Sequence, residues 1–439
     1  MLSNLIKKLL TCTGVCLISC QSINAQSDSL HLNLKNLFDL GVESNLQLAA
    51  MRLQEQIASE KAGTARMAQY PDIEVGLKGG VLGQPVVFER GLAHPTKPET
   101  PDWQQNYSID FRQPIYEGGR IKYAIRKADI EKEIAMLQTN VGKADLKLSL
   151  LEQYLNLFSL YKQCKVLGRN IEESERRLKD ICRMKEEGLI TNNDVLRSEM
   201  QLTNNRLSMT ETQNNIRLVS QHLDILLGKD ENLIIVPDTT LLEEDFQTGE
   251  YIGYIQDAFD SDPSMLLLQK QTELAQNNIR IARAELLPKL SITASNTLAR
   301  PVSRTLADMY NNNWNIGLSF SYSLSSLYQS KHRINEAKLG VMLGQNAQEQ
   351  QKQYIRTNVQ QALIKHQEAI NRVEALQLSV RQAEENFRIM NNRYRNQLAI
   401  LTDLLDADNL RLNVELQLTT ARTRVVYTFY ELQRAIGKL

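Results

Sequence analysis

Prolines are absent from two long stretches of the chain, residues 115–236 and 302–439. Both stretches are poor in glycine and rich in Leu, Gln, Glu, Arg and Lys, a composition that favours helix. In the first stretch an apolar residue recurs at every seventh position, at Val195, Leu202, Met209, Ile216 and Leu223. This spacing is the narrow seam typical of coiled coils. A helix over residues 119–187 would be on the order of 100 Å long, so the sequence predicts rods that no compact domain could contain.

The two proline-free stretches belong to two copies of one pattern. One offset of 209 residues, applied from Phe111 to Lys229, carries the first half of the chain onto the second without a gap. Matched pairs include Phe111 and Phe320, Leu189 and Leu398, Asp194 and Asp403, and Gly228 and Gly437. Upstream, the sequence ARMAQYP of the first half corresponds to ARAELLP of the second. Repeated spacing of this kind indicates an internal duplication.

Between the rods, residues 71–114 and 288–324 alternate between apolar and polar side chains, which predicts two β-hairpins and four strands. The clearest alternation is WNIGLSFSYSL, which begins at Trp314. One apolar face and one small polar face fit barrel strands between lipid and water, although a small soluble sheet packed on a helix would give the same pattern. Strands in lipid must close. Four cannot close a barrel, but three chains would supply twelve.

The first 25 residues have the features of a secretory signal. Lys7 and Lys8 precede an apolar run, and a cut after Ala25 follows small residues. The segment ending at Cys20 also fits a lipoprotein processing site, so lipidation of Cys20 is the alternative. No later apolar run reaches about 18 residues. An exported chain of this kind could enter a membrane only as strands.

Several function classes are excluded by what the sequence lacks. Lys and Arg together number 51 and Asp and Glu also number 51, with no basic block that would bind nucleic acid. The five histidines have no metal-ligand spacing. No nucleophile motif such as G-x-S-x-G occurs. We therefore expect neither an enzyme nor a bound metal or cofactor.

Five motifs in order resemble those of the TolC family of outer-membrane efflux channels. They are FRQPIYEGGR (Phe111–Arg120), GLITNNDVLRSE (Gly188–Glu199), LLGKD, RYRNQLAILTDLLDAD (Arg393–Asp408) and AIGKL. The resemblance covers essentially the whole mature chain. It implies an α+β fold in a homotrimer: long helical hairpins form a trimeric α-barrel across the periplasm, and four transmembrane strands per chain form a 12-stranded β-barrel in the outer-membrane lipid of a Gram-negative bacterium.

The resemblance also implies a division of the chain and a set of partners. We expect a signal peptide at 1–25, a first repeat at 26–229, a linker in an equatorial collar at 230–255, and a second repeat at 256–439. The family's channels are passive conduits from periplasm to exterior, which a periplasmic adaptor connects to an inner-membrane transporter. A different class also accommodates the rods: a periplasmic or surface-anchored coiled-coil scaffold without a pore.

Position by position, the resemblance assigns roles at the helical corners. Asp403 and Asp406 occupy the places of an aspartate ring at the tunnel constriction, and Asp194 and Tyr394 those of partners that lock the closed aperture. Six carboxylates around one lumen would attract cations. The alternative for each aspartate is a solvated residue that caps a helix, Asp194 in particular. The family's locking arginine is replaced by Ala399, which predicts a looser or differently latched mouth.

The two corners also correspond to the family's docking surface for the adaptor. Gly188, Leu189, Ile190 and Thr191 form the first, and Leu398 and Ala399 belong to the second, where Gln397 replaces the usual glycine. The alternative is that Gly188 only ends a helix and nothing binds there.

Overall fold

A computed structural model gives the structure of residues 29–89, 91–99, 101–230, 233–238, 246, 249–301 and 308–439. The predicted signal peptide, its cut after Ala25 and the possible lipidation of Cys20 lie outside these residues. The described residues divide into two compact units. Each unit contains segments from both halves of the sequence repeat.

Helices dominate the described residues. They are α1 (Leu34–Ser44), α2 (Leu46–Met67), α3 (Arg120–Glu186), α4 (Asn192–Leu226), α5 (Tyr251–Ser261), α6 (Pro263–Ala284), α7 (Ser326–Arg395) and α8 (Leu401–Ala435). The prediction of long rods is confirmed, since α3 has 67 residues and α7 has 70. Among the helices of the described residues, none combines the length and apolarity needed to cross a bilayer.

The duplication is visible in how the helices end. Gly188 after α3 and Gln397 after α7 both have left-handed backbone, with φ of 74° and 60°. The next residue donates its N–H five residues back, from Leu189 to Met184 O at 2.9 Å and from Leu398 to Arg393 O at 2.8 Å. These bonds define a Schellman ending. We call residues 187–191 tip 1 and residues 396–400 tip 2.

The strands are β1 (Ser29–Leu32), β2 (Asp72–Val81), β3 (Val87–Glu89), β4 (Ala93–Thr96), β5 (Trp103–Tyr116), β6 (Ile234–Pro237), β7 (Lys289–Arg300) and β8 (Asn311–Ser321). Four of them form one antiparallel sheet in the order β2-β5-β7-β8. The central pair, β5 and β7, joins the two halves of the repeat. Strands β2 and β8 are the two edges.

One face of this sheet carries large apolar side chains that the chain leaves exposed. They are Ile73, Val75, Leu77, Trp314, Ile316, Leu318 and Phe320, each between 61 and 76% exposed. These strands cover the segments whose side chains alternate in the sequence. An apolar surface of this extent indicates contact with lipid or with another protein.

The first unit comprises the described residues within Met1–Asn45, Leu146–Gln247 and Lys365–Tyr430. Strand β6, which lies inside the predicted linker 230–255, pairs in parallel with β1. Tyr154 of α3 is fully buried. Its hydroxyl donates to Leu32 O at 2.8 Å and accepts from Asp238 N at 2.8 Å. Burial raises the pKa of this phenol to about 12.

The second unit comprises the described residues within Leu46–Asp145, Thr248–Ile364 and Glu431–Leu439. It contains the four-stranded sheet and an apolar core, to which α5 contributes Ala258, α6 Met265, α7 Val359 and α8 Leu432. The helix α6 starts at Pro263, where a proline suits the first turn. The Asp262 carboxylate accepts from Met265 N at 2.8 Å and caps that turn.

Gln397 has a left-handed backbone that glycine would adopt more easily, whereas tip 1 already has glycine at the matching position. We therefore expect substitutions at the two positions to change the free energy of unfolding in opposite directions. A left-handed non-glycine residue is disfavoured by about 1–2 kcal/mol, and greater freedom of glycine in the unfolded chain offsets part of that. We expect Gln397→Gly to raise the free energy of unfolding by about 0.5–1 kcal/mol. At Gly188, a Cβ would meet no atom within 4 Å, so Gly188→Ala is the matched control and should destabilise by about 1 kcal/mol. Urea unfolding in detergent measures both, and a loss of stability in Gln397→Gly would contradict the prediction.

Asp224 is a buried acid in the last turn of α4. Its side chain is fully buried, and neither carboxylate oxygen has a hydrogen-bond partner. Burial, with a smaller contribution from the charge of Asp230, raises the pKa of Asp224 to about 6, from 3.8. Protonated Asp224 is thus the form that the fold favours.

This carboxyl predicts a pH dependence of stability. Because the folded pKa lies above the unfolded one, its contribution is complete below pH 3.8 and is lost as pH rises through about 6. Asp224→Asn removes the ionisation, so at pH 7.5 we expect the variant to be more stable than the wild type by about 1–3 kcal/mol, and at pH 4 nearly equal to it. The exposed Asp39→Asn in α1 is the control. Equal differences between Asp224→Asn and wild type at both pH values would refute the prediction.

Candidate functional site: the hairpin tips

Tip 1 is closed by a capping box. Thr191, in extended backbone, precedes the first residue of α4. The Asp194 carboxylate accepts from Thr191 N at 3.0 Å and from the Thr191 hydroxyl at 2.8 Å. A carboxylate in the first helical turn also complements the positive end of the helix dipole. Asp194 therefore takes part in the capping that the sequence offers as the alternative to an aperture role.

Tyr394 is buried where the two hairpins meet. Its ring is 7% exposed within the tip cluster, an apolar group formed by Ile181, Val195, Tyr394, Leu401 and Leu404. The hydroxyl has no hydrogen-bond partner. Burial raises the pKa of Tyr394, the nearby Asp194 carboxylate adds to the rise, and Arg177 opposes it. Asp194 and Tyr394 are thus neighbours, but no hydrogen bond joins them.

The structure adds a contact between the hairpins that the sequence analysis missed. Arg197 of α4 donates from Nη1 to the Thr402 hydroxyl of α8 at 2.7 Å. Arg197 is exposed. Ala399, at the position of the family's arginine, has no side-chain donor, and Arg197 supplies a guanidinium group that joins α4 to α8 close to the tips.

Asp403 and Asp406 are exposed on one face of α8, three residues apart. Asp403 lies in the first turn of the helix, which the dipole favours. Neither carboxylate makes a hydrogen bond or ion pair with any other residue of the described chain. Both charges are therefore free to act on solvent or on another molecule.

The tips expose apolar side chains around their left-handed corners. Leu189 is 51% exposed and Leu398 is 69% exposed. Ile190 is half-buried against the tip cluster, and Ala399 is half-buried as well. Gly188 has open space around it. The predicted docking residues thus form a small surface in which two leucines project and the backbone at Gly188 is accessible.

A buried ion network lies behind the tips, and the sequence analysis did not anticipate it. The Asp408 side chain is 3% exposed and that of Arg177 is 9% exposed. Arg177 Nη2 lies 2.7 Å from Asp408 Oδ2. Arg411 Nη2 lies 2.9 Å from Asp408 Oδ1, and Asn170 Nδ2 donates to that oxygen at 3.3 Å. Arg411 also forms an ion pair with Glu173 of α3.

Further polar and aromatic groups extend this network over four helices. Asn205 of α4 donates from Nδ2 to Asn170 Oδ1 at 2.6 Å. The Phe387 ring of α7 lies 4.1 Å from the Arg411 guanidinium carbon and 5.7 Å from that of Arg177. One feature of the sequence does point to this ion network. Leu401, Leu404 and Asp408 have coiled-coil spacing, which places an aspartate in the buried seam.

The described residues contain no group of three or more His, Cys, Asp or Glu side chains that could hold a metal ion. The class of protein follows from its similarity to known proteins. A family model described as "Outer membrane efflux protein" matches residues 38–229 and 254–438, most of the chain. The chain belongs to this family. The resemblance identified from the motifs is thereby confirmed.

Solved structures share the fold at low identity. CusC is 15% identical with a TM-score of 0.79, and the match covers 92% of each chain. VceC from Vibrio cholerae is 18% identical with a TM-score of 0.75, covering 92% of this chain and 96% of VceC. The open state of MtrE from Neisseria gonorrhoeae is 17% identical with a TM-score of 0.73, covering 92% and 88%. None of the curated proteins compared with the chain matches it.

Membership of this family establishes the general function of the protein. The protein is an outer-membrane channel of efflux systems in a Gram-negative bacterium, and it is not an enzyme. The predictions of localisation and of a non-enzymatic role are confirmed on this ground.

Proposed function

We propose that three copies of the chain form a passive conduit from periplasm to exterior, as the outer-membrane component of a tripartite efflux or secretion system. The observation that carries the proposal is the four-stranded antiparallel sheet with an exposed apolar face and two open edges. A soluble scaffold has no use for such a face. The alternative of a coiled-coil scaffold without a pore is therefore disfavoured.

Closure of the sheet follows from the backbone. Strand β2 pairs only with β5 among the described strands, and β8 only with β7, so each edge presents unpaired N–H and C=O groups. In hydrocarbon each such group would be destabilising by several kcal/mol. If β8 of one chain pairs with β2 of the next, three chains close a barrel of twelve strands. CusC, described as forming a transmembrane channel, has the same fold.

Three copies of the α3/α4 and α7/α8 hairpins would surround one tunnel. Each chain would contribute Asp403 and Asp406 to the periplasmic mouth, whose six carboxylates have no partner within their own described chain. Their summed field would attract cations and repel anions. We therefore assign an acidic, cation-selective aperture to these two aspartates, with Asp194 and Tyr394 beside it.

The tips are the surface that we propose for a periplasmic adaptor, which would couple the conduit to an inner-membrane transporter. Leu189 and Leu398 project into solvent, and Gly188 leaves the backbone of tip 1 accessible. Thr191 and Ile190 complete tip 1, and Ala399 lies beside Leu398. Apolar side chains at a tight turn suit the hairpin end of a partner helix pair.

Fractionation tests the conduit against the scaffold. We expect the protein in the outer-membrane fraction, resistant to extraction by salt or alkali, and recovered in detergent as a trimer. Its exposed sheet face requires lipid, whereas the helices alone would not. Chemical cross-linking and light scattering of the detergent-purified protein measure the stoichiometry. A monomer, or release of the protein without detergent, would rule out the conduit.

The acidic aperture predicts a change in ion selectivity. Purified trimers in planar bilayers should prefer K⁺ to Cl⁻. Asp403→Asn and Asp406→Asn should each lower the permeability ratio by at least about twofold, because each removes three charges from the ring. The control is Glu211→Gln, which removes an exposed carboxylate from α4 about 28 Å along the helix from its start. Unchanged selectivity in the Asp403→Asn, Asp406→Asn double variant would contradict the assignment.

A further inference from the structure

We infer that the buried ion network around Asp408 is the latch that joins the α7/α8 hairpin to the α3/α4 hairpin, and that it holds the mouth narrow in place of a bond at the tips. This inference rests on the proposed conduit. It identifies Asp408 as a positioning residue, distinct from the exposed aspartates that would face the lumen.

The tips themselves offer little to hold the hairpins together. The Asp194 carboxylate is committed to Thr191, within its own helix start. The Tyr394 hydroxyl has no partner, and Ala399 has no donor. Close to the tips, Arg197 donates to Thr402 from an exposed guanidinium group, for which solvent can compete. Gln201 of α4 donates to Asn409 of α8 at 2.9 Å, a bond between two uncharged amides.

The network, in contrast, joins the hairpins through one buried ion pair and a second one that is partly exposed. Arg177 of α3 and Asp408 of α8 come from different hairpins, and both side chains are at least nine-tenths buried. Glu173 of α3 and Arg411 of α8 form a second ion pair across the same boundary. Two cations and two anions make the network neutral overall. Arg411 and Asp408 are paired within α8, whereas Arg177 and Glu173 of α3 keep their partners in the network only while the hairpins stay together.

Aromatic contact fixes the arginines in place. Phe387 of α7 lies beside both guanidinium groups. Arg177 thus reaches from the first hairpin to α8 through its ion pair and to α7 through the ring. A guanidinium group in contact with both a carboxylate and an aromatic face is more firmly positioned than one held by charge alone.

We expect such a network to break abruptly rather than gradually. Partial separation would leave the Arg177 guanidinium group buried without its carboxylate, which is strongly unfavourable, whereas Asp408 and Arg411, both on α8, would stay paired. Full separation would hydrate them all. Interfaces that break in this way convert small displacements into discrete switching. Asp408 lies seven residues after the first residue of α8, about 10 Å along the helix, so the network is close enough to the mouth to set its width.

The experiment compares single-channel currents of purified trimers. The variants are Asp408→Asn, which keeps the shape of the side chain, and the double variant Arg177→Gln, Asp408→Asn, which leaves neither member of that pair charged. We expect both to raise the open fraction of the channel by about tenfold or to saturation, as loss of a charge-assisted bond would. The double variant also guards against misfolding caused by a lone buried charge.

The matched control is Glu175→Gln. Glu175 forms an exposed ion pair with Arg206 of α4, within a single hairpin, so its loss should leave the open fraction at the wild-type value. Wild-type currents from both variants, with trimers intact on native gels, would overturn the latch while the conduit stands. A larger effect of Tyr394→Phe or Asp194→Asn than of Asp408→Asn would assign the latch to the tips. Absence of any current from the wild-type trimer would instead reject the conduit, and the latch with it.

Discussion

Unpaired backbone groups at the edges of one small sheet are the constraint on which the rest of this protein depends. An open sheet of four strands cannot satisfy its own edges, and its exposed apolar face cannot remain in water. The conduit that we propose would solve both problems, because copies of the chain would pair edge to edge inside lipid. In that assembly the helical hairpins would lie around a common axis. What the residues at their tips can do would then depend on neighbouring chains as well as on their own.

Much of this architecture can be predicted from the sequence, because the relevant signals are periodic. The proline-free stretches predict α3, α4, α7 and α8, and alternating side chains predict the strands of the large sheet. The offset between the halves predicts that tips 1 and 2 have the same geometry. Gln397 adopts the left-handed backbone that glycine provides at Gly188, although its identity alone would argue against such a corner. Context from the flanking helices overrides the preference of the single residue.

Contacts between distant segments could not be predicted in this way. The pairing of β1 with β6 and the partners of Asp408 depend on residues that lie far apart in sequence. The seam of a coiled coil is usually apolar, but in this protein it includes Asn170, Arg177, Asn205 and Asp408. Because all four side chains are polar or charged, residue type alone would assign them to the surface. Polar groups in such a seam commonly fix the register of helices, because only one alignment pairs them all.

The hydrogen bond from Tyr154 to the backbone of Leu32 and the pairing of β1 with β6 constrain the order in which the chain can fold. Strand β1 is at the start of the described chain, and its partner ends at Pro237. The core of the first unit therefore stays incomplete until more than half of the polypeptide has emerged. Contacts of such long sequence separation form slowly, and the earlier segments have apolar surface exposed meanwhile. The N-terminal half therefore keeps part of its apolar surface exposed until β6 is available to pair with β1.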